Sequence, residues 1–162
     1  MPVLNQDHLK AVINAINESP FFKHMSIEVA EIGAGYSVVQ VRIEKKHMNP
    51  FGDLHGGVYA SAIDTAAYWS AYCHLPENSG LVSIDLKVDF LSPVMAGKII
   101  IKGQSIKSGK TICLTEAKMY DENGKLLGVG TSKLLVTQNQ QSMDDVVNYV
   151  GSDKFPEKFI RG

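Results

Sequence analysis

The sequence predicts an α+β domain, an antiparallel sheet of about six strands wrapped around one long central helix. Three observations predict it. A polar, glycine-bearing loop, 47–57, runs into a segment, 58–73, that is apolar nearly all round, and helices of that kind are buried. The segments before and after it alternate apolar and polar residues at a period of two, as half-buried strands do. Short turns join many of those segments, and strands joined by short turns are antiparallel.

The elements follow in order. Leu9, Val12, Ile13 and Ile16 repeat at helical spacing within 7–18, which predicts a surface helix with one apolar stripe that Pro20 closes. Ser26–Ile32 and Tyr36–Ile43 alternate, and Gly33-Ala34-Gly35 turns between them, a hairpin. The central helix runs on to Leu75-Pro76. Gly80–Leu91 then sets Val82, Ile84, Leu86, Val88 and Phe90 on one face, opposite Ser83, Asp85, Lys87 and Asp89. Lys98–Ile106, Thr111–Tyr120 and Lys125–Thr137 complete a four-strand meander; the last joins through Asn123-Gly124, a strong hairpin signal. The domain thus covers 1–137. Residues 138–162 form a C-terminal tail with a short helix over 144–150 and apolar Phe155, Phe159 and Ile160, read as a partly mobile segment whose aromatics pack on the body.

Composition narrows the function. The 162 residues carry 16 basic and 17 acidic side chains, which is no electrostatic footprint for nucleic acid. The N-terminus has no signal-peptide pattern, and no apolar run approaches the ~20 residues that span a bilayer. A cytoplasmic protein without a membrane partner is expected. Cys73 and Cys113 show neither disulfide nor metal-ligand spacing, so both are read as core residues, and no metal or cofactor is called for. Asp64 stands out, as the only formally charged residue between Asp53 and Glu77. A carboxylate in apolar surroundings is costly unless it is compensated, so Asp64 is either paired or placed there for chemistry.

The run Asn49-Pro50-Phe51-Gly52-Asp53-Leu54-His55-Gly56-Gly57, with Asp64 behind it, resembles the PaaI-like acyl-CoA thioesterases of the hotdog fold. Ser83-Ile84-Asp85-Leu86 and Leu91-Ser92-Pro93 fit the same pattern, and the resemblance covers about residues 20–137. It implies hydrolysis of an acyl-CoA thioester, of aryl or phenylacetyl type among others. The Gly56 backbone N–H would polarise the carbonyl, Asn49 and Gly57 would help hold the thioester, and Ser83 would assist the water. Asp64 would act as general base or as nucleophile, two roles the sequence leaves open. His55 is a candidate base, or a helix-entry side chain that orients the loop. Strand alternation turns Ser83 away from Asp64 unless a bulge intervenes there. Lys107, Gly109 and Lys110 form a basic turn that either meets CoA phosphates or is ordinary exposed surface.

Spacing adds a constraint. Gly56 and Asp64 are eight positions apart on one helix, roughly 12 Å at ~1.5 Å per residue, so they cannot touch the same carbonyl. A catalytic reading therefore needs a homodimer with Gly56 and Asn49 of one subunit opposite Asp64 of the other; the resembled family often pairs such dimers into homotetramers. The competing readings are a non-catalytic acyl-CoA-binding protein of this fold and a dehydratase of 3-hydroxyacyl thioesters using His55 and Asp64.

Overall fold

A computed structural model describes residues 1–162. Its elements are β1 (Pro2–Leu4), α1 (Gln6–Glu18), α2 (Pro20–Met25), β2 (Ile27–Gly33), β3 (Tyr36–Arg42), α3 (Gly56–Ala71), β4 (Ser79–Phe90), β5 (Lys98–Ser108), β6 (Ile112–Tyr120), β7 (Leu126–Gln138), α4 (Met143–Val150) and β8 (Phe159–Arg161). Six strands form one antiparallel sheet in the order β2-β3-β5-β6-β7-β4. The sheet curls around α3, as the helix's all-round apolar surface requires.

Close approach is built in from both sides. Ala62, Ile63, Ala66 and Ala67 of α3 are fully buried. Opposite them, a Cβ on Gly103 would fall 2.0 Å from the Ala66 carbonyl oxygen, and one on Gly130 would fall 2.4 Å from Ile63. Only glycine lets β5 and β7 lie this near the helix. Ser37 of β3 donates to the Ala66 carbonyl at 2.6 Å, so this buried polar side chain is satisfied.

Two expectations are corrected. The four-strand meander reduces to β5-β6-β7: β4 pairs with β7 at the sheet edge, and β3 takes the place beside β5. The 91–97 link carries the chain from the edge to the far side of the sheet, a path that alternation within strands does not encode. The single apolar face expected for β4 is also broken. The register slips between Ser83 and Asp85, a bulge that flips the alternation. Leu86 and Val88 pack on the core, whereas Val82 and Ile84 are 41% and 54% exposed. α1 ends at Glu18, just before Pro20, as expected; Pro20 also opens α2 at its first position, where its missing N–H costs nothing.

The tail is fastened to the body, with Phe155 packed on the core as expected. β8 pairs with β1. Lys158 is only 1% exposed; its Nζ donates to the carbonyls of Tyr72 at 2.6 Å and Leu75 at 2.8 Å and lies 3.9 Å from the Tyr72 ring centroid. These carbonyls lie just beyond the C-terminal end of α3, where the helix dipole favours a cation. Burial pushes the Lys158 pKa down to about 8, so the amine still holds its proton at neutral pH. His8 adds a second tie: its Nδ1–H donates to the Pro156 carbonyl at 2.6 Å, and its Nε2 accepts from the Tyr72 hydroxyl at 2.6 Å.

Lys158→Met keeps the apolar stem but leaves the Leu75 carbonyl without its donor. It is expected to cost about 2 kcal/mol, read as a lower urea midpoint, with the amides of 143–161 losing exchange protection ahead of those of α3.

Candidate active site

The loop before α3 is held by a residue that spacing alone does not single out. His47 is 1% exposed. Its Nδ1 accepts from the Glu44 N–H at 2.9 Å, which places the ring proton on Nε2, and Nε2–H donates to the Met25 carbonyl at 2.7 Å. The His47 carbonyl in turn accepts from the His55 N–H. Asn49 shapes the next turn, its Oδ1 accepting from the N–H groups of Phe51 and Asp53 at 2.9 and 3.1 Å. That leaves the Asn49 Nδ2 amide free to donate elsewhere.

His55 is the N-cap of α3, and its Nδ1 accepts from the Gly57 N–H at 2.8 Å. Gly57 therefore has no backbone donor to offer a substrate. Gly56, the first helical residue, keeps a free N–H at the positive end of the helix, as first-turn residues do unless a cap intervenes. It opens into a cavity of about 390 Å³ lined by Asn49, Tyr59, Phe90 and Ser92 among others. The Tyr59 hydroxyl donates to the Ser92 carbonyl at 2.6 Å, and the Tyr59 and Phe90 rings meet edge to face at 5.5 Å. Together these contacts hold Phe90 over Gly56, where an added Cβ would touch it at 3.2 Å.

Asp64 lies further along α3 and faces a different space, a cleft of about 490 Å³ whose walls include Thr65, Tyr68 and Trp69. Its carboxylate is half-buried, and Ser83 donates to Oδ1 at 3.3 Å. The bulge at 83–85 makes this contact: before the slip, Leu81 and Ser83 share the helix-facing side of β4. Desolvation raises the Asp64 pKa above the ordinary carboxylate value, and the Ser83 hydrogen bond opposes part of that rise. The Tyr68 hydroxyl is not competing for the carboxylate, because it donates to the Leu81 carbonyl at 3.0 Å.

β4 runs alongside α3 in the opposite sense, with Leu81 at Tyr68, Ser83 at Asp64 and Phe90 at Gly56. Within one chain the structure brings Asn49 to Gly56, and Ser83 to Asp64. It does not bring these pairs together, and no residue lines both cavities. Lys107, Gly109 and Lys110 sit at the β5–β6 turn and line neither; Gly109 spends its N–H on the Ile112 carbonyl. Besides His47, sequence reasoning missed the placement of α4: the short helix expected over 144–150 spans Met143–Val150 and forms one side of the Asp64 cleft with Met143, Val146 and Tyr149. The period of its apolar residues, 143, 146 and 150, was the available signal.

Comparison with known proteins bears on these two half-sites. The sequence profile of the thioesterase superfamily matches residues 51–127, which contain His55, Gly56, Asp64 and Ser83. Human acyl-coenzyme A thioesterase 13 is 29% identical over 126 residues, covering 75% of this chain and 89% of the human one. The 1,4-dihydroxy-2-naphthoyl-CoA hydrolase of Listeria monocytogenes is 27% identical over 117 residues, 72% of this chain and 95% of that one. Among solved structures, a Haemophilus influenzae thioesterase superposes with a TM-score of 0.75 at 25% identity, over 82% of this chain and 92% of the other.

Removing the Ser83 hydroxyl takes away the one hydrogen bond that lowers the Asp64 pKa. In Ser83→Ala the Asp64 titration midpoint, followed by carboxyl carbon NMR, is expected to move further up; an unchanged or lower midpoint would show that the bond does not act on this carboxylate.

Proposed function

The chain belongs to the thioesterase superfamily, and we propose that it hydrolyses acyl-CoA thioesters, aryl and arylacetyl ones among them, in sites built across a homodimer. The observation that carries this reading is the division of labour along α3: a free N–H at its start and a half-buried carboxylate further on, opening into separate cavities. Neither half-site is sufficient for hydrolysis, and each has what the other lacks.

Edge strand β4 offers the means of joining them. It is 12 residues long, pairs on one side only, and carries exposed Val82, Ile84 and Phe90. A long edge of this kind is a template for another strand. A two-fold axis near Leu86 and Lys87 would pair β4 antiparallel with its copy, setting Ser83 of one protomer opposite Phe90 of the other. Because Ser83 marks Asp64 and Phe90 marks Gly56, the same operation sets each carboxylate against the other subunit's helix start. Two identical sites result, and the outer faces remain for a tetramer.

In such a site the thioester carbonyl oxygen accepts from the Gly56 N–H, with the Asn49 amide beside it. Asp64, held at Oδ1 by Ser83, takes a proton from water through Oδ2. The water oxygen bonds the carbonyl carbon, and the resulting oxyanion is stabilised at Gly56, a kind of donor whose loss costs about 10²–10³ in rate. The C–S bond then breaks, the CoA thiolate takes the proton back from Asp64, and the free acid leaves. A carboxyl pKa raised by desolvation suits this base, since it strengthens its proton affinity. Attack by Asp64 itself would yield the same products through a mixed anhydride; in a single turnover in H2¹⁸O, the base route labels the product acid at once, whereas an anhydride opened at the Asp64 carboxyl carbon leaves the label on Asp64. The turn with Lys107, Gly109 and Lys110 lies at the Ser83 end of the sheet, across Leu134 and Cys113, and is assigned to the CoA phosphates.

Asp64→Asn is expected to keep the fold and acyl-CoA binding while losing about 10²–10⁴-fold in kcat; full retention of activity overturns the assignment. Gly56→Pro deletes the N–H at a helix position that tolerates proline. Co-assembled equally, these two inactive variants should recover about a quarter of wild-type activity, because half the dimers are mixed and each mixed dimer keeps one intact site. No recovery by a co-purified mixed dimer rules out the shared site.

A further inference from the structure

The cleft at Asp64 has a wall that the superfamily's matched region does not supply: that region ends at residue 127, and α4 begins at Met143. We propose that α4 is the outer wall of the acyl-binding pocket and that Met143, Val146 and Tyr149 determine which acyl group fits. The inference rests on Asp64 being the hydrolytic carboxylate.

Position comes first. On one side of the cleft stand Asp64, Tyr68 and Trp69 of α3; on the other stand Met143, Val146 and Tyr149 of α4; Ile16 and Phe22 close its end. Within one chain, this cleft is the apolar surface next to an acyl group whose carbonyl carbon lies at Asp64. The volume, about 490 Å³, lies toward the lower part of the ~300–1,000 Å³ usual for small-ligand sites, so a compact group fits and a long straight chain must leave through the mouth. Four aromatic side chains among these residues offer flat faces and edges to a planar ring.

The wall is also fixed in place. Ser142 and Asp145 close a capping box at its start, the Ser142 N–H donating to the Asp145 carboxylate at 2.9 Å. Gly151 ends the helix at φ +75°, a conformation glycine adopts without strain. Beyond it, Lys158 and β8 fasten the chain to the end of α3 and to β1. Tyr149 is nonetheless 76% exposed: it stands at the rim of the cleft, where it can narrow the mouth without filling the interior.

The test compares kcat/KM for acetyl-, phenylacetyl- and palmitoyl-CoA in wild type, Val146→Phe and Tyr149→Ala. Val146→Phe, which fills the cleft, is expected to lower the phenylacetyl-to-acetyl ratio by about tenfold or more, and Tyr149→Ala, which opens the mouth, to raise the palmitoyl-to-phenylacetyl ratio by about as much. Trp69 is the chain's only tryptophan and lines the cleft, so it gives a readout independent of turnover. Phenylacetyl-CoA should change its fluorescence in Asp64→Asn and should do so more weakly when Val146→Phe is added. Unchanged ratios in both variants of an active enzyme overturn this inference alone. Absence of hydrolysis in wild type overturns the functional reading instead, and the fluorescence titration then decides whether α4 walls a binding pocket: a response that Val146→Phe weakens supports the wall, and no response, or one that Val146→Phe leaves unchanged, overturns it.

Discussion

A helix that is apolar on every side has to be covered on every side. That constraint organises the molecule. The six-stranded sheet curls because one face of a flat sheet could not enclose α3, and its strands carry Gly103 and Gly130 where any side chain would push the sheet off the helix backbone. Ser37 answers the Ala66 carbonyl in the same layer. Burying most of α3 leaves open, among others, its N-terminal N–H at Gly56 and the Asp64 carboxylate, and a cavity forms at each.

The same wrapping sets the distance between them. A straight helix cannot bring its own first residue to a side chain two turns along, so enclosing the helix and assembling a site are separate tasks. The fold completes the first within one chain. It leaves exposed an edge strand whose two ends mark the two openings, Ser83 beside Asp64 and Phe90 beside Gly56. In the proposed dimer, the coverage of α3 and the need for a second subunit have one geometric origin.

Much of this was legible in the residues. Alternation located every strand of the large sheet to within two residues, and the polar loop before an all-apolar run located α3. Those signals are local and periodic. The bulge at 83–85 is not: it breaks the period it would have to be read from, and only the pairing of Ser83 with Leu134 and Asp85 with Lys133 reveals it. The position of β4 at the edge depends on a connection, 91–97, whose route is a matter of the whole sheet. His47 and Lys158 were silent for another reason. A buried histidine or lysine is stable only when particular carbonyls and N–H groups converge on it, and those partners, Met25 and Glu44 for one, Tyr72 and Leu75 for the other, are assembled by the fold. Strands as short as β1 and β8 carry no period at all.

The pairing of β1 with β8 has a kinetic consequence. It joins residues 2–4 to 159–161, the longest loop any strand pair in this chain can close. Closure entropy grows with loop length, and contacts between distant segments are made late. The hairpins β2-β3, β5-β6 and β6-β7 close short loops and can assemble around α3 early. The clasp between the first and last strands follows, and with it the final seating of the segment that carries α4. On loop-closure grounds Asp64 is expected to acquire its hydrogen-bonded place on the body before the far wall of its cleft is secured: carboxylate first, enclosure afterwards.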